Sequence, residues 1–182
     1  MEDIVFPPTY WQGWDSHVTF LPGDILPEES EGRLYAVLVF VFYGDKIALA
    51  DIAGRGMCIP SGRIENGETI DESAVRECFE EVGAQLIEGR RRLLGCYCMV
   101  PAHSPENTVA KYCPVFVAEA AGFVSLPPGT ESQGMFLAAM EDVAEQYFFW
   151  DDLLSSVFNH AQQMRDLWWP AGQSISEFME GR

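Results

Sequence analysis

Residues 33–43 read RLYAVLVFVFY, and no other stretch limits the fold so tightly. A strand with one face in water alternates apolar and polar residues, whereas this run is apolar at nearly every position, as in a strand buried on both faces. A sheet built around it needs cover on each side. The Gly44-Asp45-Lys46 turn leads straight into IALADI, so the run opens a hairpin. After it, GRG leads to a short strand, MCIP, and SGRIENGET reads as a loop with an Asn66-Gly67 turn. AQLIEGRRRLLGCYCMV and KYCPVFVAEA read as further strands, joined by PAHSPENTVA. Beyond a Pro/Gly-rich loop, EQYFFW reads as one more strand. Asp151 or Asp152 then caps a helix with Leu154, Val157, Phe158, Ala161 and Arg165 along one side. Strands interleaved with helices predict an α/β chain whose mixed sheet is covered on both faces.

At 182 residues the chain is the size of one domain, with 48% hydrophobic residues to form its core. Residues 1–32, rich in Pro, Gly and acids, read as an N-terminal extension packed on a single domain spanning 33–182. Their one strand-like piece is SHVTFLPGD. No apolar run approaches the roughly 18 residues of a membrane span, and MEDIVFPPTY has no basic lead into an apolar segment. The expectation is therefore a cytoplasmic protein with no membrane partner. Its net charge of −17, from 28 acids against 11 Lys plus Arg, repels a phosphate polymer and argues against binding along DNA or RNA. Arg90, Arg91 and Arg92 read as a solvated strand entrance. The five cysteines contain no C-x-x-C pair and the three histidines are scattered, so zinc-ligand spacing is absent.

Residues 69–83 carry the chemistry. Thr69 and Glu72 form a capping box and Gly83 a stop, which predicts a helix from Thr69 to about Val82. On a helical wheel Ala74, Val75, Cys78, Phe79 and Val82 share an arc that should face the core, and Glu77, Glu80 and Glu81 share another. Arg76 stands between them, four residues from both Glu72 and Glu80. A solvated acidic face is the plain alternative for the glutamates. Yet like charges at these spacings cost a few tenths of a kcal/mol per pair, and the helix C-terminus disfavours them further. A divalent cation reverses that sum, because clustered carboxylates are hard ligands for Mg²⁺ or Mn²⁺.

Gly62 is followed after five residues by Glu68, and Glu68 after seven by RECFEEVGA. GRIENGETIDESAVRECFEEVGA thereby resembles the signature of the Nudix hydrolases, G-x5-E-x7-R-E-U-x-E-E-x-G-U, with U a bulky aliphatic residue. Gly62, Glu68, Arg76, Glu77, Glu80, Glu81 and Gly83 match. Cys78 and Ala84 stand at U positions and are small. The resemblance implies a Nudix-type α/β/α sandwich around a mixed sheet, with the box as a loop–helix–loop. It also implies a hydrolase that cleaves the diphosphate linkage of a small nucleoside diphosphate derivative by water attack on phosphorus.

By the same resemblance, Glu77, Glu80 and Glu81 hold Mg²⁺ or Mn²⁺, and Arg76 and Glu68 pair to steady them. Gly62 and Gly83 shape the backbone. The residue before Gly62, which often lends a carbonyl to the metal, is Ser61 here. The general base stays open between Glu77 and a glutamate beyond the box, with Glu145 and Glu141 as candidate additional acids and Glu131 behind them. Arg63, His103, Tyr112 and Lys111 are candidate substrate contacts. Trp150, Trp168 and Trp169 could stack on a base, although core or interface packing is their plainer role. Many relatives form homodimers, and LWWPAG is the segment that would serve. No further motif selects among ADP-ribose-like compounds, nucleotide sugars and nucleoside triphosphates. A second reading is a Nudix-like sensor that binds a nucleotide without cleaving it.

Overall fold

The computed structural model describes residues 4–103 and 109–170. The apolar run becomes β3 (Ala36–Tyr43) and is buried on both faces. Val37, Val39 and Val41 point into one core, and Phe40 and Phe42 into the other, as the two-residue period of a strand requires. The first core is closed by α1 (Ile70–Val82) through Ala74, Cys78 and Val82. The second is closed by α3 (Asp152–Trp168) through Leu153, Leu154, Val157, Phe158 and Ala161. The result is the expected sandwich of helix, mixed sheet and helix.

Among the described residues the strands form one nine-stranded sheet. They are β1 (Thr9–Trp11), β2 (Ser16–Pro22), β3, β4 (Lys46–Ile52), β5 (Gly56–Cys58), β6 (Ser61–Arg63), β7 (Ala84–Pro101), β8 (Lys111–Phe123) and β9 (Ser132–Ala139). The main order is β1-β2-β7-β8-β3-β4-β5, with β6 on β3 and β9 on β4. Only the β3–β8 pairing among these is parallel. β7 reaches its length through register shifts near Gln85, Leu86 and Leu93, which let one strand bend around the sheet.

The elements depart from the sequence expectation at three places. β9 lies in the stretch read as loop, where Phe136 faces outward and Leu137 packs against the first core. EQYFFW is not a strand: Glu145 and Gln146 end a short helix, α2 (Val143–Gln146), and Tyr147 makes a single bridge with Met57. Its aromatic side chains pack on one another (Phe148 and Phe149 at 4.7 Å between ring centres) instead of alternating across a pleat. Within the box loop, residues 61–63 pair with Leu38, Val37 and Ala36 as β6, which fixes the loop against the sheet.

The aromatic C-terminal residues pack within the chain. Trp169 is buried in the second core and Arg92 lies over the Trp168 ring at 4.7 Å. Ala171 and Gly172 of LWWPAG lie outside the described residues. No described helix is long and apolar enough to cross a membrane. All five cysteines are free.

Candidate active site

Thr69 and Glu72 cap α1 reciprocally: the Glu72 N–H donates to Thr69 Oγ1 at 3.2 Å and the Thr69 N–H to Glu72 Oε2 at 2.8 Å. At the other end Gly83 takes the left-handed conformation, φ 67°, and a Cβ there would run into the Val124 carbonyl. The helix is therefore fixed at both termini, and its rotation is set by what it buries.

That rotation differs from the apolar wheel. Ala74, Cys78 and Val82 are buried as expected, but Val75 and Phe79 stay 42% and 44% exposed. Glu77 and Glu81 are only 6% and 8% exposed. The helix has turned its glutamate flank inward at the expense of two apolar side chains. Burying carboxylates while leaving Val and Phe in water is unfavourable on transfer grounds alone, so packing does not explain the orientation.

The glutamates meet β6 in a cleft lined by Arg55, Ser61, Gly62, Arg63, Glu77, Glu80, Glu81 and Glu131, among others. Gly62 passes so close to Glu77 that a Cβ would fall on its carboxylate. The Ser61 N–H donates to Glu81 Oε2 at 2.7 Å. Arg76 gathers the rest. Its Nε and Nη2 grip Glu68 at 2.6 and 2.9 Å, its Nη1 reaches Glu77 at 2.6 Å and Glu80 at 3.3 Å, and Nη2 donates to the Arg63 carbonyl at 3.0 Å. Of its two reachable partners it takes Glu80, because Glu72 is engaged in the cap.

Charge and burial tune these groups. The Arg76 guanidinium and the Ser73 hydroxyl hold the Glu68 carboxyl down at about 2. Burial pushes Glu77 upward against the pull of Arg76. Burial pushes Glu81 up to about 7, with Glu77 and Glu131 adding to the rise and the Ser61 N–H opposing it. Two carboxylates that resist ionisation, beside a third that faces solvent, form an oxygen-donor set suited to a hard divalent cation. As the side chains stand, no three His, Cys, Asp or Glu among the described residues are already gathered as a coordination shell. Arg76 and the Ser61 N–H occupy part of the carboxylate oxygens instead.

Of the other candidates, Arg63 and Glu131 line the cleft and the rest fall away from it. Glu141 lies on the 3₁₀ turn at Met140–Asp142 and Glu145 in α2, and neither lines the cleft; Glu131, just before β9, does. His103 meets Asp15 at 2.8 Å, and Tyr112 is buried in the sheet. Lys111 lies over the Tyr35 ring at 4.2 Å, with Arg63 on the same ring at 5.5 Å. Arg90 pairs with Glu119, Arg91 with Asp71. The sequence reading missed Arg55, although the Gly54-Arg55-Gly56 triplet was a turn signal; in the structure both glycines take positive φ, at 75° and 100°.

A covered mixed sheet with a carboxylate-walled cleft on a doubly capped helix defines the class: a Nudix-type hydrolase. The NUDIX domain profile matches residues 32–158, and the chain belongs to the Nudix family. Its fold is similar to that of the Bacillus subtilis pyrophosphohydrolase BsRppH, with a TM-score of 0.68, 19% identity, and 87% of this chain and 97% of that one covered. It is also similar to a NUDIX hydrolase from Nitrosomonas europaea, with a TM-score of 0.53, 20% identity, and coverage of 73% and 90%. The NUDIX domain of Shewanella oneidensis NrtR, solved with ADP ribose, superposes with a TM-score of 0.54 at 12% identity, covering 72% and 88%. No curated relative matches the chain by sequence.

Proposed function

We propose that this protein hydrolyses the diphosphate linkage of a small nucleoside diphosphate derivative, with Mg²⁺ or Mn²⁺ held by Glu77, Glu80 and Glu81. The observation that carries this reading is the inward rotation of α1, which sets costly buried carboxylates in a cleft while Val75 and Phe79 stay exposed. When bound there, divalent ions would neutralise diphosphate oxygens and lower the pKa of a water. Arg76, fixed by Glu68, keeps Glu77 and Glu80 turned toward the cleft. Arg55 and Arg63 line it without a carboxylate ion pair among the described residues, and so are available to phosphate oxygens. Glu131 joins Glu77 as a candidate to take the proton from the attacking water. The free thiols fit a reducing, cytoplasmic setting.

The test is to incubate purified protein with Mg²⁺ and a panel of nucleoside triphosphates, nucleotide sugars and ADP-ribose, reading phosphate and nucleoside monophosphate release. Glu80→Gln is expected to lower kcat by about 100-fold or more while the protein stays folded. Glu131→Gln should cut turnover strongly, and Glu145→Gln should leave it within about two-fold. Tight nucleotide binding without product release from any of the panel would overturn hydrolysis in favour of a sensor.

A further inference from the structure

In a chain with 28 acids and 11 Lys plus Arg, a cation without an acid partner is out of place. Arg76, Arg90, Arg91 and Arg165 are all in ion pairs. Arg33, Arg63 and Lys111 are exposed, yet none pairs with an acid among the described residues. These three stand together.

The backbone gathers them. The Tyr112 N–H donates to the Arg33 carbonyl at 3.0 Å and the Tyr35 N–H to the Tyr112 carbonyl at 2.9 Å. The Ile64 N–H donates to the Tyr35 carbonyl at 3.2 Å, beside the pairing of Ala36 with Arg63. Three separate stretches of chain are thereby laced side by side, and two of their cations meet at Tyr35. Lys111 Nζ lies 4.2 Å and the Arg63 guanidinium 5.5 Å from its ring centre. Their charges are thus no more than about 10 Å apart, a range over which like charges still repel in 0.1 M salt. One cation on a tyrosine ring is favourable by itself. A second beside it, with Arg33 close by and no acid paired to any of them, concentrates positive charge that an anion would relieve.

This rim is distinct from the carboxylate cleft, and of its cations only Arg63 belongs to both. In the cleft a phosphate meets glutamates and needs a cation between; at the rim the partners are already positive. Two guanidinium forks and an ammonium suit the oxygens of a terminal phosphate group, whereas the net charge of −17 turns away a longer polyanion. We infer that Arg33, Arg63 and Lys111 form a second anion site, which binds a phosphate dianion without metal. Its source is either free orthophosphate or a phosphomonoester on the substrate outside the scissile linkage. The site stands on its own geometry, and only the substrate arm of its test rests on the hydrolase reading.

Inorganic phosphate is titrated into the ¹⁵N-labelled full chain with EDTA at constant ionic strength, and amide shifts are followed by NMR. Saturable shifts at residues 33–35, 63–64 and 111–112 are expected. Lys111→Ala and Arg33→Ala should each weaken binding about 10-fold, and Lys111→Arg should recover most of the loss. Absence of saturable binding in wild type, or binding that both alanine variants leave unchanged, would overturn the inference. Two pairs of compounds differing by one phosphomonoester, NADH with NADPH and ADP-ribose with its 2′-phosphate, then identify the source. A KM about 10-fold lower for the phosphorylated member, lost in Lys111→Ala, assigns the dianion to the substrate. Equal KM within each pair, with orthophosphate still bound, assigns it to free phosphate. Orthophosphate binding that needs Lys111, with no turnover of any compound tested, would sustain the site and remove hydrolysis.

Discussion

Glu81 is the residue at which packing, charge and chemistry meet. Its carboxyl ordinarily titrates at 4.5 and is pushed up to about 7 by burial. Between those values the folded protein keeps a proton that the unfolded chain has lost, so metal-free stability falls as pH rises through that window, by at most about 3 kcal/mol. Glu68 works in the opposite sense: Arg76 holds it at about 2, so its contribution is present above its ordinary value and lost as pH falls through that range. Because a metal binds the ionised carboxylate, the increase in Tm on adding Mg²⁺ should be small at pH 5.5 and larger at pH 8.5. Thermal melts with EDTA and with Mg²⁺ at the two pH values check this, and a Mg²⁺ shift independent of pH would remove Glu81 from the ligand set. The residue types of the site could be read in the sequence because charge and spacing are local. The inward turn of Glu77 and Glu81 could not, because an apolar wheel ranks Val75 and Phe79 as core and has no entry for a buried carboxylate.

At the scale of elements, the sequence spoke clearly where a local signal was complete. The reciprocal cap at Thr69, the glycine stop at Gly83 and the doubly apolar β3 all formed as expected. It failed where partners decide. β9 is half-exposed and made a strand by β4, against which Ser132–Ala139 pairs. The aromatic run 147–150 has strand-like composition, but its rings pack on one another and only Tyr147 bridges a strand. Asp151 shows how one side chain joins two elements: Oδ1 accepts from the Leu154 N–H at 2.8 Å, capping α3, while Oδ2 accepts from Trp11 Nε1 at 2.8 Å. Asp151→Ala should therefore cost more than a simple cap, about 2–3 kcal/mol in total. Asp151→Asn should cost less, because Asn retains a cap acceptor. Urea denaturation measures both, and midpoints equal to the wild type's for both variants would show that neither bond contributes.

For the whole molecule, the boundary at residue 32 is the point of most consequence. The family match begins there, and composition alone makes the preceding segment look like an accessory lying on the domain. Yet β2 pairs with β7 from Ser16–Pro101 to Pro22–Gly95, inside the continuous sheet. Val18, Phe20 and Trp11 belong to the second core together with Leu154, Val157 and Phe158. Each such buried side chain contributes roughly 1.5–3 kcal/mol, so three of them amount to about 5 kcal/mol or more. A domain typically has about 5–15 kcal/mol in hand. Removal would also bare the β7 edge between Gly95 and Pro101, an invitation to pairing with other chains. A chain of residues 33–182 should therefore unfold at markedly lower urea, or aggregate, and should do so with Mg²⁺ present, because the loss lies in the core and not at the carboxylates. A truncated protein with the same urea midpoint as the full chain would show that the segment lies on the domain after all.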